Sequence, residues 1–202
     1  VSAAAWRTLL DSREDLAGEP LIAGWVDRGW PLVVRRFLPG EEPGLPLGLP
    51  LPPAHGKRRI ALTLPRDALA ARASPPLLRQ AMGVAPAAWQ PTLERLLALD
   101  VEIRIYGSLA WQFLTGLDYL TAHSDLDMLL PMPRAADAAR LITALGAIEQ
   151  AASMRLDGEL VRSDGAGVNW REFQEGAAEV LVKTTDGALL LAARQFLDGA
   201  RA

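Results

Sequence analysis

Two aspartates one residue apart open an apolar run, Ser124-Asp125-Leu126-Asp127-Met128-Leu129-Leu130. In an extended strand residues i and i+2 face the same way, so Asp125 and Asp127 place two carboxylates side by side. Carboxylates that close repel unless a cation holds them, and hard divalent cations take oxygen ligands. Upstream, Gly107-Ser108 closes a stretch in which Val101, Ile103 and Ile105 alternate with Glu102, Arg104 and Tyr106, the period of a half-buried strand. A glycine there lets a phosphate approach the backbone closely. Ser108 adds a hydroxyl and an N–H at the start of a helix, where unsatisfied amides and the helix dipole favour anions. Ions held by Asp125 and Asp127 would bridge phosphate oxygens and neutralise charge in an in-line displacement. The chemistry these residues predict is metal-assisted transfer at phosphorus, with Mg2+ as the ion or Mn2+ in its place.

Further acidic residues lie on a later strand-like stretch. Asp157 stands in Met154-Arg155-Leu156-Asp157-Gly158-Glu159-Leu160. Glu159 shares its strand face; a turn beside Gly158 is the plain structural reading of Asp157. Lys57, Arg58 and Arg59, after Gly56, suit a triphosphate or nucleotide phosphates, or else mark a solvated strand start. They are not a P-loop, because the upstream glycine spacing and the following Ser or Thr are missing. His55 and His123 are too few and too isolated for a metal site. Trp111 and Trp170 read as core, and Arg171, Glu172 and Lys183 are secondary candidates for the cleft.

The elements that must position these residues follow from periodicity. The C-terminal half reads strand (101–106), a Gly107-Ser108 turn, helix (109–115) ending at Gly116, strand (125–130), amphipathic helix (134–149), and strands at 154–161, 168–170 and 178–183. Asp186-Gly187 is a hairpin signal, and the tail 191–200 looks helical. The expected class is α/β or α+β, a mixed sheet flanked by helices. The N-terminal half reads as a small α+β module: an amphipathic start with Trp6, Leu9 and Leu10, a strand over 31–37 and another over 60–64. The prolines of 39–56 argue against a central strand or helix there, although Leu45, Leu47, Leu49 and Leu51 alternate in a way that suggests packing. The domain boundary is expected near 90, giving an accessory module 1–90 and a catalytic domain 91–202.

The order strand, Gly-Ser, helix, loop, Asp-apolar-Asp resembles the nucleotidyltransferase superfamily. That resemblance implies a third carboxylate from a later strand, to hold metal or to accept a proton, for which Asp157 is the first candidate and Glu159 the reserve. The sixteen residues between Ser108 and Asp125 exceed the usual spacer and imply an enlarged loop over the site. Longer strings narrow the likeness. GSLAWQFLTGLDYLTAHSDLDMLL (107–130), GLPLPPAHGKRRIAL (48–62), RLDGEL (155–160) and VNWREF (168–173) are similar to the malonate decarboxylase holo-acyl-carrier-protein synthases, the phosphoribosyl-dephospho-CoA transferases. That resemblance implies a donor, 2′-(5″-triphosphoribosyl)-3′-dephospho-CoA, and an acceptor serine on the apo acyl carrier subunit of malonate decarboxylase, with release of pyrophosphate. It also implies that Asp125 and Asp127 are the metal ligands. Two other readings stand beside it. One is a different small nucleotidyltransferase using ATP, against which the GLPLPPAHGKRRI module argues. The other is a non-catalytic module with a vestigial acidic pair, against which the intact pair and Asp157 argue.

Composition sets the outer bounds. The 202 residues are 50% hydrophobic and 22% charged, ordinary for a globular protein, with a formal net charge of −3 that disfavours a general nucleic-acid surface. The absence of cysteine removes disulfides, zinc–thiolate sites and thiol nucleophiles, and fits a reducing, cytoplasmic setting. No signal peptide and no bilayer-length apolar run is apparent, so no membrane partner is expected. The chain begins at Val1, so a few leading residues are expected to precede it.

Overall fold

The computed structural model describes residues 1–36, 40–41, 43–185 and 187–199. Phe37 of the expected first strand, Pro39 at the start of the expected loop, Asp186 of the expected hairpin turn and Ala200 of the tail lie outside the described residues. The chain divides into two compact units. One comprises Val1–Ser74 with Leu114–Asp118, the other Pro75–Phe113 with Tyr119–Ala202. The division falls at Ser74/Pro75 rather than near 90. Residues 75–90 join the second unit because Leu77 bridges Arg104, and because Leu78, Ala81 and Trp89 enter the core formed with Ile105, Leu126 and Leu156.

The first unit opens with helices α1 (Ala3–Ser12), α2 (Glu14–Ala17) and α3 (Pro20–Ala23). Ser2 caps α1, accepting from the Ala5 N–H, and buried Trp6 donates its indole N–H to the carbonyls of Ile22 and Ala23. Three antiparallel strands follow, β1 (Val33–Val34), β2 (Leu45–Pro50) and β3 (Arg59–Leu64), with β2 in the middle. This corrects the expectation that prolines keep 39–56 out of a central strand. In an antiparallel ladder successive residues point their N–H groups to opposite neighbours. Leu45, Leu47 and Leu49 serve the full ladder to β3, while Pro46 and Pro50 fall on the opposite edge, which β1 covers for only two residues. The Arg35 N–H donates to the Pro46 carbonyl on that edge, and Leu47, Leu49 and Leu51 are buried, as their alternation suggested.

The second unit is a six-stranded mixed sheet flanked by helices, in the order β4 to β9. After α4 (Leu78–Ala81), helix α5 (Gln90–Leu97) starts with Pro91 in its first turn, where a missing N–H costs nothing. Then come β4 (Arg104–Ile105), α6 (Gly107–Thr115), β5 (Leu126–Pro131), α7 (Ala135–Glu149) and β6 (Leu156–Val161). The remaining elements are β7 (Gly167–Asn169), α8 (Trp170–Gln174), β8 (Glu179–Lys183), β9 (Ala188–Ala192) and α9 (Ala193–Asp198). Among the described residues only β5 and β6 run parallel. Helix α8 and strand β9 are additions to the expected order: Trp170 starts a helix rather than ending a strand, and β9 pairs with β8 along its length.

The parallel pair has two unlike faces. Leu126, Met128 and Leu130 of β5, with Leu156 and Leu160 of β6, are buried among Leu93, Leu96, Leu109, Ile142 and Leu145. At roughly 2 kcal/mol for each fully buried aliphatic side chain, this face anchors the register of both strands. The opposite face is half-exposed and carries the alternate residues.

Candidate active site

On that half-exposed face lie Asp125, immediately before β5, then Asp127 on β5, and Asp157 and Glu159 on β6. Asp127 and Asp157 are direct neighbours in the parallel register, so their Cβ atoms stand about 5 Å apart on one side of the sheet. A slip of one residue would carry both into the core, and the buried leucines forbid it. Asp157 is therefore a strand residue and not a turn residue. Gly158 beside it is mid-strand, where a Cβ would stand 3.0 Å from Trp170 Cδ1 and 3.2 Å from Leu130 Cδ1.

Gly107 forms the wall beside Asp127. Its φ is +63°, and a Cβ there would stand 1.8 Å from Asp127 Oδ2 and 2.5 Å from its Cγ. Glycine is required twice, by the left-handed backbone and by the carboxylate that occupies the space of a side chain. Ser108 begins the first turn of α6, half-buried, at the helix end that favours anions. Tyr106, whose backbone N–H donates to the Asp127 carbonyl, lies on the same face. Burial, with Glu159, Asp127 and Asp157 nearby, pushes its phenol well above the usual range, so it stays a neutral donor.

Asp157 and Glu159 have different partners. Asn169 Nδ2 donates to Asp157 Oδ1 at 2.8 Å, whereas Glu159 is ion-paired with Lys183. Gly167, which faces Lys183 across β7 and β8, leaves the space through which Lys183 reaches Glu159 two strands away. Arg171 is ion-paired with Glu149, and its Nη2 donates to the Leu156 carbonyl at 2.8 Å. Glu149 Oε1 accepts the Leu156 N–H at 2.9 Å, so both backbone groups of the residue preceding Asp157 are held. Arg171 Nε is buried without a partner among the described residues.

The spacer between Ser108 and Asp125 is the body of α6 and a loop ending in the turn before β5. Gln112 Oε1 accepts the N–H groups of Tyr119 and Leu120 at 3.2 and 3.1 Å, and Gly116 ends the helix at φ +72°. His123 is exposed in that turn, and Trp170 is core, as expected. Lys57, Arg58 and Arg59 belong to the first unit, at the exposed turn from β2 to β3. Gly56 and Lys57 both have positive φ there, and Arg58 is ion-paired with Glu19 at 2.7 Å. A cavity of about 560 Å3 lies elsewhere, lined by Ala138, Ile142, Gly146, Phe173, Gln174 and Leu197, and none of the carboxylates borders it.

Among the described residues no three acidic or histidine groups close into a ready-made metal cage. The donor set nonetheless suits Mg2+, an ion that keeps several waters and binds through one or two carboxylates plus substrate phosphates. The absence of a side chain at Gly107 lets the Asp127 carboxylate lie against the start of α6, and Asp157 stands next to it in register, so two acidic oxygen donors are adjacent.

The sequence matches the Phosphoribosyl-dephospho-CoA transferase MdcG C-terminal domain over residues 77–194 and the N-terminal domain of the same family over 2–75. It is 52% identical to a phosphoribosyl-dephospho-CoA transferase of Bradyrhizobium diazoefficiens, covering 99% of this chain and 90% of that protein. The chain belongs to the phosphoribosyl-dephospho-CoA transferase family. A transferase of the same name from Xanthomonas campestris pv. campestris is 40% identical over 86% of this chain and 84% of its own length. One from Azotobacter vinelandii is 33% identical over 89% and 86%. No solved structure matches. The two family domains meet at residues 75–77, where the contacts also divide. Membership makes the chain an enzyme of the transferase class, and no helix among the described residues is long and apolar enough to cross a membrane.

Asn169 is the site residue that the spacing of acidic residues did not reveal. Its signal was present in VNWREF, as an Asn directly before a helical run, the usual N-cap pattern.

Proposed function

We propose that this transferase moves the phosphoribosyl-dephospho-CoA moiety of 2′-(5″-triphosphoribosyl)-3′-dephospho-CoA onto a serine of the apo acyl carrier subunit of malonate decarboxylase. The observation that carries the reading is the in-register pair Asp127 and Asp157 beside the left-handed Gly107 turn, within a chain of this family. The serine oxygen attacks the α-phosphorus, the bond to the bridging oxygen breaks, pyrophosphate leaves, and the hydroxyl proton passes to a carboxylate. Asp125 and Asp127 hold a divalent cation, Mg2+ or Mn2+, and Asp157 is the third member of that set. Glu159 is the weaker candidate because Lys183 already neutralises it. When bound, the cation supplies charge neutralisation on the phosphate oxygens. Gly107 and the first amides of α6 receive phosphate oxygens, and Ser108 adds a hydroxyl there. The Tyr106 hydroxyl stands on the same face as a neutral donor. Lys57, Arg58 and Arg59 of the first unit carry charge suited to phosphate groups, with Arg58 already engaged by Glu19.

The test is intact-mass spectrometry of the apo carrier subunit incubated with enzyme, Mg2+ and the triphosphoribosyl donor. The expected result is one phosphoribosyl-dephospho-CoA addition with an equivalent of pyrophosphate. Asp125→Ala and Asp127→Ala should each abolish the addition while circular dichroism stays unchanged. An unmodified carrier, with ATP serving as donor to a different acceptor, would overturn the assignment.

A further inference from the structure

We infer that Asn169 is a positioning residue that fixes which oxygen of Asp157 is free to bind the divalent cation, an inference that rests on the metal-holding role proposed for Asp157. Asn169 does two jobs with the two ends of one amide. It is the last residue of β7 and, with φ −64° and ψ 128°, the N-cap of α8, its Oδ1 accepting the Arg171 N–H at 3.0 Å. The capping bond leaves no freedom in the amide: because the oxygen faces Arg171, the NH2 group must face away from it. That NH2 donates to Asp157 Oδ1 at 2.8 Å. One carboxylate oxygen is thereby engaged from β7, while Asp127 is the in-register neighbour of Asp157 on β5, and the inference assigns Oδ2 to the ligand.

The amide is oriented by a helix that is itself fixed to the strand bearing Asp157. Trp170 Nε1 donates to the Leu156 carbonyl at 3.2 Å, and Arg171 Nη2 donates to the same carbonyl. Glu149 at the end of α7 binds both Arg171 and the Leu156 N–H. The backbone of Leu156 and the side chain of Asp157 are thus held by consecutive residues of one segment, Asn169-Trp170-Arg171. Partners of this kind, one bond removed from a metal, commonly change metal affinity by about 10- to 100-fold when lost.

A serine at 169 separates the two jobs. It caps a helix about as well as asparagine, but it is too short to keep the donor on Asp157. The experiment measures Mn2+ binding to the full chain, without substrate, from the loss of the electron paramagnetic resonance signal of free Mn2+, alongside thermal unfolding. Asn169→Ser should weaken Mn2+ binding about tenfold and leave the melting temperature essentially unchanged. Asp157→Asn should weaken binding at least as much, and the double variant should bind no more weakly than Asp157→Asn alone, because Asn169 acts through Asp157. Wild-type affinity in Asn169→Ser together with weakened binding in Asp157→Asn would overturn the role of Asn169 and leave the metal reading standing. Additive losses in the double variant would overturn it as well. Wild-type affinity in both Asp157→Asn and Asp127→Asn, or no binding by the wild-type chain, would overturn the metal reading and the inference with it.

Discussion

At Gly107 one atom's worth of space decides whether Asp127 can sit where it does. Gly107→Ala would add a methyl carbon 1.8 Å from Asp127 Oδ2 on a backbone at φ +63°. The left-handed conformation alone costs a non-glycine residue about 1–2 kcal/mol, and the carboxylate must also move. A displacement of about 1 Å costs on the order of 100-fold in rate. The expected outcome is a fall of about 100-fold in kcat/KM with a modest loss of stability, measured by carrier modification and chemical unfolding; unchanged kcat/KM would remove Gly107 from the site. Gly107, Asp125 and Asp127 were legible in the sequence because each is marked locally, by a period of two or by a glycine at a strand end. Asn169 was not read as a site residue, because its role depends on β7 ending and α8 beginning at the same position. VNW looks like the continuation of a strand until the register to β6 is known.

Elements carry the site through one partly buried ion pair. Glu149, at the last turn of α7, meets Arg171 of α8, and the two side chains are 22% and 21% exposed. The Arg171 guanidinium holds the Glu149 carboxyl below its usual range, against the opposing effect of burial. A carboxyl depressed in the folded state adds stability that is fully present above its unfolded pKa of about 4.3 and is lost as pH falls through the lower folded value. Glu149→Gln should therefore destabilise the second unit by about 2 kcal/mol at neutral pH, less than the 3–5 kcal/mol of a fully buried pair. The gap to wild type should narrow as pH falls below about 4, read by urea unfolding at several pH values. A gap that does not vary with pH would mean that the pair contributes by packing alone. Other elements were less legible where pairing outweighs local preference. Leu191 and Ala192 precede Arg194 and Gln195 in a run of good helix formers, yet they complete β9 because β8 offers a full antiparallel ladder.

For the whole molecule, ligand binding and stability are linked. A donor with Mg2+ at about one hundred times its dissociation constant stabilises the folded state by about 2.7 kcal/mol. In a chain of this size that is about 5–10 °C in melting temperature, expected in the transition of the unit that carries the acidic face. Asp127→Asn should melt at the same temperature with or without donor and Mg2+; a shift equal to wild type would show that the donor binds without this carboxylate. The larger plan, a mixed sheet with helices after a small N-terminal module, followed from the sequence because the second unit keeps its hydrophobic periods. The position of the division did not, because Leu78, Ala81 and Trp89 give no local sign of which core they join.

The prolines of β2 have a consequence for association between chains. A strand edge with free donors and acceptors is a template for a foreign strand. On the β1 side of β2, Pro46 and Pro50 have no N–H to donate, and the Pro46 carbonyl is already taken by the Arg35 N–H. An invading strand would find no N–H at either proline to build a ladder on. The same Leu-Pro alternation that supplies a buried leucine row on one side of the strand's chemistry thus acts on the other as a guard against edge-to-edge aggregation.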